Sequence, residues 1–169
     1  MLIVTETPRL LIRTWQENDL KPYGEITGHS DLPQRFSNDS PASRPETELW
    51  RYQLELDQKG WSRWAVVHKE TYRLIGYCGF SSYGKSVELS WRFLPEFRGR
   101  GLVLEAAQSV ARLGFERFGF REIISYTAPD NEFAVDVIQT LGMHLDGFEG
   151  WSNMTVARYS LVSAVSASS

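Results

Sequence analysis

The clearest pattern in the chain lies between Val87 and Phe93, where Val87, Leu89, Trp91 and Phe93 alternate with Glu88, Ser90 and Arg92. A period of two predicts a strand with one face in a core. After Pro95 and a glycine-bearing loop the period changes. Ala, Leu and Val recur on one face from Leu102 to Phe118, which predicts a helix. Upstream, Leu10 to Trp15 reads as a strand and Asp19 to Gly28 as a helix-prone polar segment. Ser37 to Pro41 is rich in turn formers. Ser43-Arg44-Pro45-Glu46 has capping-box spacing with Pro near the first helical position. Leu49, Tyr52 and Leu56 then share a helical face, and Gly60 can close that helix. Trp64–His68 and Leu74–Ser81 form a predicted hairpin around Lys69-Glu70-Thr71. Ile123–Thr127 is a further strand, and Asn131–Leu141 a helix stopped by Gly142. Leu145–Phe148 and Thr155–Leu161 are the closing strands.

This order predicts a mixed α/β domain built on one sheet, not a doubly wound nucleotide fold. No linker divides the chain, so residues 1–162 read as one domain and 163–169 as a frayed tail. With 169 residues the chain is long enough for a sizeable core. Six Trp, seven Tyr and nine Phe add bulk to that core and material for an aromatic cleft. A formal charge of −3 supplies no net basic field for nucleic acid or an anionic membrane, and mildly favours a cationic ligand. The lone Cys78 excludes an internal disulfide and a thiolate metal cluster. Met1-Leu2-Ile3-Val4 is too short for a signal peptide, and no apolar run reaches membrane-spanning length, so the expected location is the cytoplasm.

The segment Phe93-Leu94-Pro95-Glu96-Phe97-Arg98-Gly99-Arg100-Gly101 joins the best strand to the best helix. Glycines let successive backbone N–H groups turn into one concavity, and the following helix adds the positive end of its dipole. Arg98 and Arg100 add charge, so a phosphate or pyrophosphate suits the loop. A solubilising strand-to-helix turn is the plainer alternative. Neither Gly-Lys-Ser/Thr nor G-x-G-x-x-G is present, which excludes the P-loop and the dinucleotide fingerprint.

Arg98-Gly99-Arg100-Gly101-Leu102-Val103 resembles the coenzyme A pyrophosphate motif of the GNAT superfamily of N-acetyltransferases. The stretch from Glu88-Leu89-Ser90-Trp91-Arg92 through Glu105-Ala106 is similar to its RimJ/RimL-type branch. So are Thr7-Pro8-Arg9-Leu10-Leu11-Ile12-Arg13 and Asn131 through Leu141-Gly142-Met143. The resemblance implies a twisted, mostly antiparallel central sheet flanked by helices. It also implies acetyl transfer from acetyl-CoA to a primary amine, a protein N-terminus or a small molecule, with no metal; a homodimer is open. Phe93, Leu94, residues 98–103 and Asn131 would hold the donor, Asn131 touching the pantetheine arm. Two positions depart from the pattern. Val103 stands where Gly or Ala is usual, and its branched side chain threatens to crowd the pyrophosphate. Ala134 and Ile138 stand where related enzymes carry a Ser or a Tyr.

Direct transfer needs a base for the amine, a donor for the oxyanion and a group to meet the departing thiolate. Glu88, on the strand beside the expected acyl group, is the candidate base; a strand carboxylate paired with Arg92 is the alternative. Tyr126 and Ser125 lie on the strand after the helix, near the expected thioester. His29, His68 and His144 are isolated and have no triad or metal spacing. Trp61, Trp64, Trp91 and Trp151 are candidates for the wall of an acceptor pocket or for the core. Cys78 reads as a buried structural thiol. A catalytically weak acyl-CoA-binding module is the competing reading.

Overall fold

The computed structural model describes residues 1–28 and 44–164. Its strands are β1 (Ile3–Glu6), β2 (Leu10–Arg13), β3 (Arg63–His68), β4 (Arg73–Tyr83), β5 (Ser86–Phe93), β6 (Glu122–Thr127), β7 (His144–Trp151) and β8 (Met154–Val162). They form one open sheet in the order β1-β2-β3-β4-β5-β6-β8-β7. Every neighbouring pair is antiparallel except β5 with β6. The helices among the described residues are α1 (Leu20–Gly28), α2 (Pro45–Lys59), α3 (Leu102–Glu116) and α4 (Glu132–Thr140).

Tyr77 and Phe80 of β4 point to opposite faces of the sheet, and each face has its own cover. Tyr23 of α1 stacks on Tyr77 at 6.3 Å. Gly114 of α3 lies so near Phe80 that a Cβ there would stand 2.8 Å from the ring. On that second side Leu102, Val103, Ala106, Ala107, Val110 and Ala111 are buried at helical spacing. They pack against Leu10, Ile12, Val66, Cys78, Leu89 and Phe93 to make the main core.

Several boundaries differ from the sequence reading. The edge strand β1 was not expected, because its burial is too slight to produce a clear alternation. β2 ends at Arg13, and Trp15 leaves the sheet to donate its indole N–H to the Arg63 carbonyl at 2.9 Å. β7 and β8 outrun their predicted limits at both ends, because their ladder continues where apolar periodicity does not. α2 begins at Pro45 with Arg44 as its N-cap and no side-chain cap bond from it, and Ser43 of the expected capping box lies outside the described residues. Glu48 and Tyr52 are its buried residues, while Leu49 and Leu56 are only half-buried. Ser163, expected in a frayed tail, is buried and its N–H donates to Arg121 O at 2.9 Å. His29, the Ser37–Pro41 turn and residues 165–169 lie outside the described residues.

Candidate active site

After β5, residues Pro95–Phe97 form one short 3-10 turn, and Gly99 and Gly101 both adopt φ 77°. A side chain at either glycine would be strained there. No atom lies within 4 Å of a Cβ built at Gly99, whereas one at Gly101 would meet Arg9 Nη2 at 3.3 Å. Gly101 caps α3, and the first helical bond runs from Glu105 N–H to Gly101 O at 3.0 Å. The amides of Leu102, Val103 and Leu104 therefore precede the helical ladder and face the loop. Together with the glycine turns they make an open cradle for an anion at a helix N-terminus.

Side chains brace this cradle from outside. Arg98 donates from Nε and Nη2 to Phe93 O, at 3.2 and 3.0 Å, folding back onto the end of β5. Arg100 lies 5.1 Å from the Phe97 ring centre. Arg9 reaches in from the segment before β2, donating to Arg100 O and to Glu105, both at 2.8 Å. Partial burial disfavours the charged Glu105 carboxylate. Hydrogen bonds from Thr7 and Arg9 outweigh that and hold it below the usual range. Phe93, Leu94, Leu102 and Val103 are buried in the core, so only their main chain borders the cradle. Val103 thus does not crowd an anion, contrary to the sequence expectation. Its side chain points down among the core residues.

Beside the cradle the sheet opens. β5 and β6 run parallel, and their register contains one partnered pair, Glu88 with Ile124. Ser125 Oγ bridges them once more by donating to Leu89 O at 2.8 Å. Beyond this a cleft separates Ser90–Arg92 from Ser125–Thr127, with Ala134 and Ile138 of α4 on its wall. Asn131 caps α4 by accepting the Ala134 N–H at 3.1 Å.

Glu88 borders this cleft and is only 5% exposed. Burial pushes its carboxyl up to about 7, while Arg63 pulls the other way. Arg92 is not the partner considered from sequence: its guanidinium lies 5.9 Å from the Tyr77 ring centre. The cation facing Glu88 is Arg63, which the sequence reading missed. Arg63 sits over the rings of Tyr52 and Tyr77, at 5.6 and 5.2 Å, and donates to Tyr52 Oη at 3.0 Å. Tyr52 Oη lies 2.8 Å from Tyr23 Oη, which donates to Glu48. Burial above all keeps both phenols protonated. Gly79 lets β3 pass here, since a Cβ at that position would stand 2.4 Å from Arg63 Cα. The only advance signal was an arginine opening the otherwise apolar run Arg63-Trp64-Ala65-Val66-Val67.

The remaining candidates divide between site and scaffold. Tyr126 borders the cleft and donates to Glu149 Oε1 at 3.4 Å. Burial, then the Glu149 charge, push its phenol up to about 12. Trp91 lines the cleft. Trp64 is buried in the core, Trp61 packs on Phe80 and Phe120, and Trp151 stacks on Tyr83. His68 lies against Phe97 with Nδ1 3.3 Å from Thr71 Oγ1, and His144 is exposed at the start of β7. Cys78 is fully buried and burial pushes its thiol well above the usual range. Among the described residues no cluster of His, Cys, Asp and Glu can hold a metal ion, and no helix is long and apolar enough to cross a membrane.

An open sheet that parts at its single parallel pair, beside a glycine cradle at a helix N-terminus, is the framework of an acetyltransferase. Residues 9–144 match the acetyltransferase (GNAT) domain, and the chain belongs to that family. It is similar to the uncharacterized N-acetyltransferase YnaD of Bacillus subtilis, with 26% identity over 144 residues that span 84% of this chain and 83% of that protein. Among solved structures, an acetyltransferase from Agrobacterium tumefaciens superposes with a TM-score of 0.78 at 23% identity, over 94% of each chain. RimL, a ribosomal L7/L12 alpha-N-protein acetyltransferase solved with coenzyme A, superposes with a TM-score of 0.77 at 16% identity, over 95% of this chain and 98% of its own. These likenesses establish the fold. GNAT acetyltransferases use acetyl-CoA and acetylate amines. The open cradle at Gly99–Gly101 and the adjoining cleft fit such a donor, a diphosphate joined to a narrow chain.

Proposed function

We propose that this protein transfers acetyl from acetyl-CoA directly to a primary amine, as a member of the RimJ/RimL-like branch. The observation that carries the reading is the continuity of three features: the Gly99–Gly101 cradle, the cleft between β5 and β6, and the buried Glu88 on its border. The bound donor supplies an activated thioester. Main-chain N–H groups of residues 99–104 receive the pyrophosphate, and Arg98 keeps the loop closed on β5. Asn131 holds the start of α4 against the cleft. Main-chain N–H groups of β5 beyond Glu88, which lack a partner in the β6 register, are available to an oxyanion. Glu88, with its carboxyl near 7, accepts a proton from the incoming ammonium, directly or through one water. Tyr126 retains its proton at neutral pH and borders the cleft, so it is the group placed to meet the departing thiolate.

Ala134 and Ile138 favour a second reading. Both face the cleft, and neither brings a hydroxyl to it from α4. A protein lacking this proton donor can serve as a weak transferase or as an acyl-CoA-binding module. The two readings separate in one assay: acetyl-CoA with a panel of amines and N-terminal peptides, followed by free thiol. Amine-dependent thiol release supports the transferase. Tight acetyl-CoA binding without release by any amine supports the module.

A further inference from the structure

The Arg100 carbonyl, in the middle of the glycine turn, is held by a residue 91 positions earlier in the chain: Arg9 donates to it from Nη1 at 2.8 Å. Arg9 is itself fixed by Glu105, in the first turn of α3. Glu105 Oε1 accepts from Arg9 Nε at 2.8 Å, and Oε2 accepts the Arg9 main-chain N–H at 3.0 Å. Thr7 donates its hydroxyl to the same Oε2. The third guanidinium nitrogen, Nη2, lies against Gly101, 3.3 Å from where a Cβ would stand. The side chains of Arg9 and Glu105 are 46% and 18% exposed. An ion pair this open adds little to the stability of a fold, so its weight lies in what it holds.

What it holds is one peptide plane. In a trans peptide the Arg100 C=O and the Gly101 N–H point in opposite directions. With the carbonyl tied to Arg9, the Gly101 N–H is turned to the other side of the loop. There it makes no hydrogen bond among the described residues, and neither do the N–H groups of Gly99 and Arg100. Glycines at φ 77° flank Arg100 on both sides, so little else in the backbone resists rotation of this plane. A rotated plane would offer an anion a carbonyl oxygen in place of an N–H.

We infer that Arg9 is a positioning residue for the donor. By holding the Arg100 carbonyl it aims the Gly101 N–H at the pyrophosphate, and Glu105 in turn aims Arg9. This rests on the reading of acetyl-CoA as the donor and adds the segment Thr7–Arg9 to the site that receives it. The charge of Arg9 is matched by Glu105, so Arg9 acts by orientation and not by attraction.

Calorimetry with coenzyme A, on variants whose melting curves confirm the fold, tests this directly. Arg9→Met should weaken coenzyme A at least about 10-fold, the usual scale for one charge-assisted hydrogen bond. KM for acetyl-CoA should rise by a similar factor while kcat at saturating donor holds, with any amine that releases thiol. S-acetylpantetheine, which has the thioester but no diphosphate, should serve parent and variant equally. The double variant Arg9→Met with Glu105→Gln removes the charge left on Glu105 and should bind as weakly as Arg9→Met, since the carbonyl is still released. Arg9→Lys keeps the charge without the fork and should recover only part of the affinity. Full recovery in the double variant or in Arg9→Lys reduces the effect to charge balance and overturns the positioning role. Unchanged coenzyme A affinity in Arg9→Met overturns it too, as does an equal loss with S-acetylpantetheine. If the parent binds coenzyme A and acetylates nothing, the transfer reading falls alone and the calorimetry still decides on Arg9. If the parent binds no coenzyme A, both fall.

Discussion

The cradle before α3 and the polar cluster beneath α1 and α2 lie on either side of one strand, yet they are built in opposite ways. The cradle is local and mostly main chain. Residues 98–105 shape it through two glycines at φ 77° and the first turn of a helix. The cluster is non-local and made of side chains: Tyr23, Glu48, Tyr52, Arg63 and Glu88 come from four elements. Backbone geometry binds an anion by shape and tolerates exchange of many side chains. A buried network of charges tolerates few changes, because each member satisfies another.

Substitutions can break that contrast, and the largest effect belongs to the cluster. Arg63→Met leaves Glu88 without its cation and Tyr52 without a donor, a defect that costs about 3–5 kcal/mol in buried pairs. The melting temperature should fall by roughly 10 °C, with activity lost as well. An unchanged melting curve would mean that the network does not hold the fold.

Next comes Glu88→Gln, which keeps the shape and removes the base. The expected loss is about 10²-fold in kcat with acetyl-CoA affinity unchanged. In the parent, kcat should rise with pH through about 7, since only the ionised Glu88 accepts a proton. Stability should move the other way. The folded carboxyl binds its proton more tightly than the unfolded one, so the Glu88 contribution declines between the unfolded carboxyl range and about 7. A pH–rate profile with no limb near neutrality sinks the assignment.

On the cradle side, Gly101→Glu places a strained side chain and a negative charge at the helix N-terminus. Calorimetry should show coenzyme A binding weakened by at least about 2 kcal/mol, with the polar cluster and its pH profile untouched. Unchanged affinity would put the pyrophosphate elsewhere.

The smallest effect belongs to α4. Ala134→Ser brings a hydroxyl to the cleft at little steric cost and should raise kcat by about 2- to 5-fold if protonation of the thiolate limits the rate. Ile138→Tyr, at a position only 1% exposed, overpacks the wall and should cost about 1–3 kcal/mol of stability instead. An Ala134→Ser enzyme no faster than its parent leaves Tyr126 as sufficient.

The same contrast explains what could be read from the chain. Alternation from Val87 to Phe93 and the apolar face after Leu102 placed β5 and α3 within a residue or two, because burial on one side is a periodic property. The turn at Arg98–Gly101 was legible because its shape follows from contiguous residues. Arg63 was not, since its meaning depends on Tyr52 reaching it from α2 and Glu88 from β5. Glu88 was placed on the right strand but given the wrong neighbour, for sequence spacing favours Arg92 while strand order brings up Arg63. The concern over Val103 failed for a related reason. A motif specifies a residue type at a position but not the direction of its side chain, and here that direction is set by the α3 face that packs on the sheet.

The single β5–β6 rung also has a mechanical consequence. A sheet resists bending because each strand is laced to the next along its length, as β4 is to β5 and β6 is to β8. At Glu88–Ile124 the lacing is almost interrupted, so β1–β5 and β6–β8 behave as two stiff leaves sharing a hinge. Rotation about that hinge changes the width of the gap while sparing the ladders on either side. A change in the width of the cleft can therefore be taken up along one line instead of by repacking the core, and Glu88, on that line itself, moves least of all.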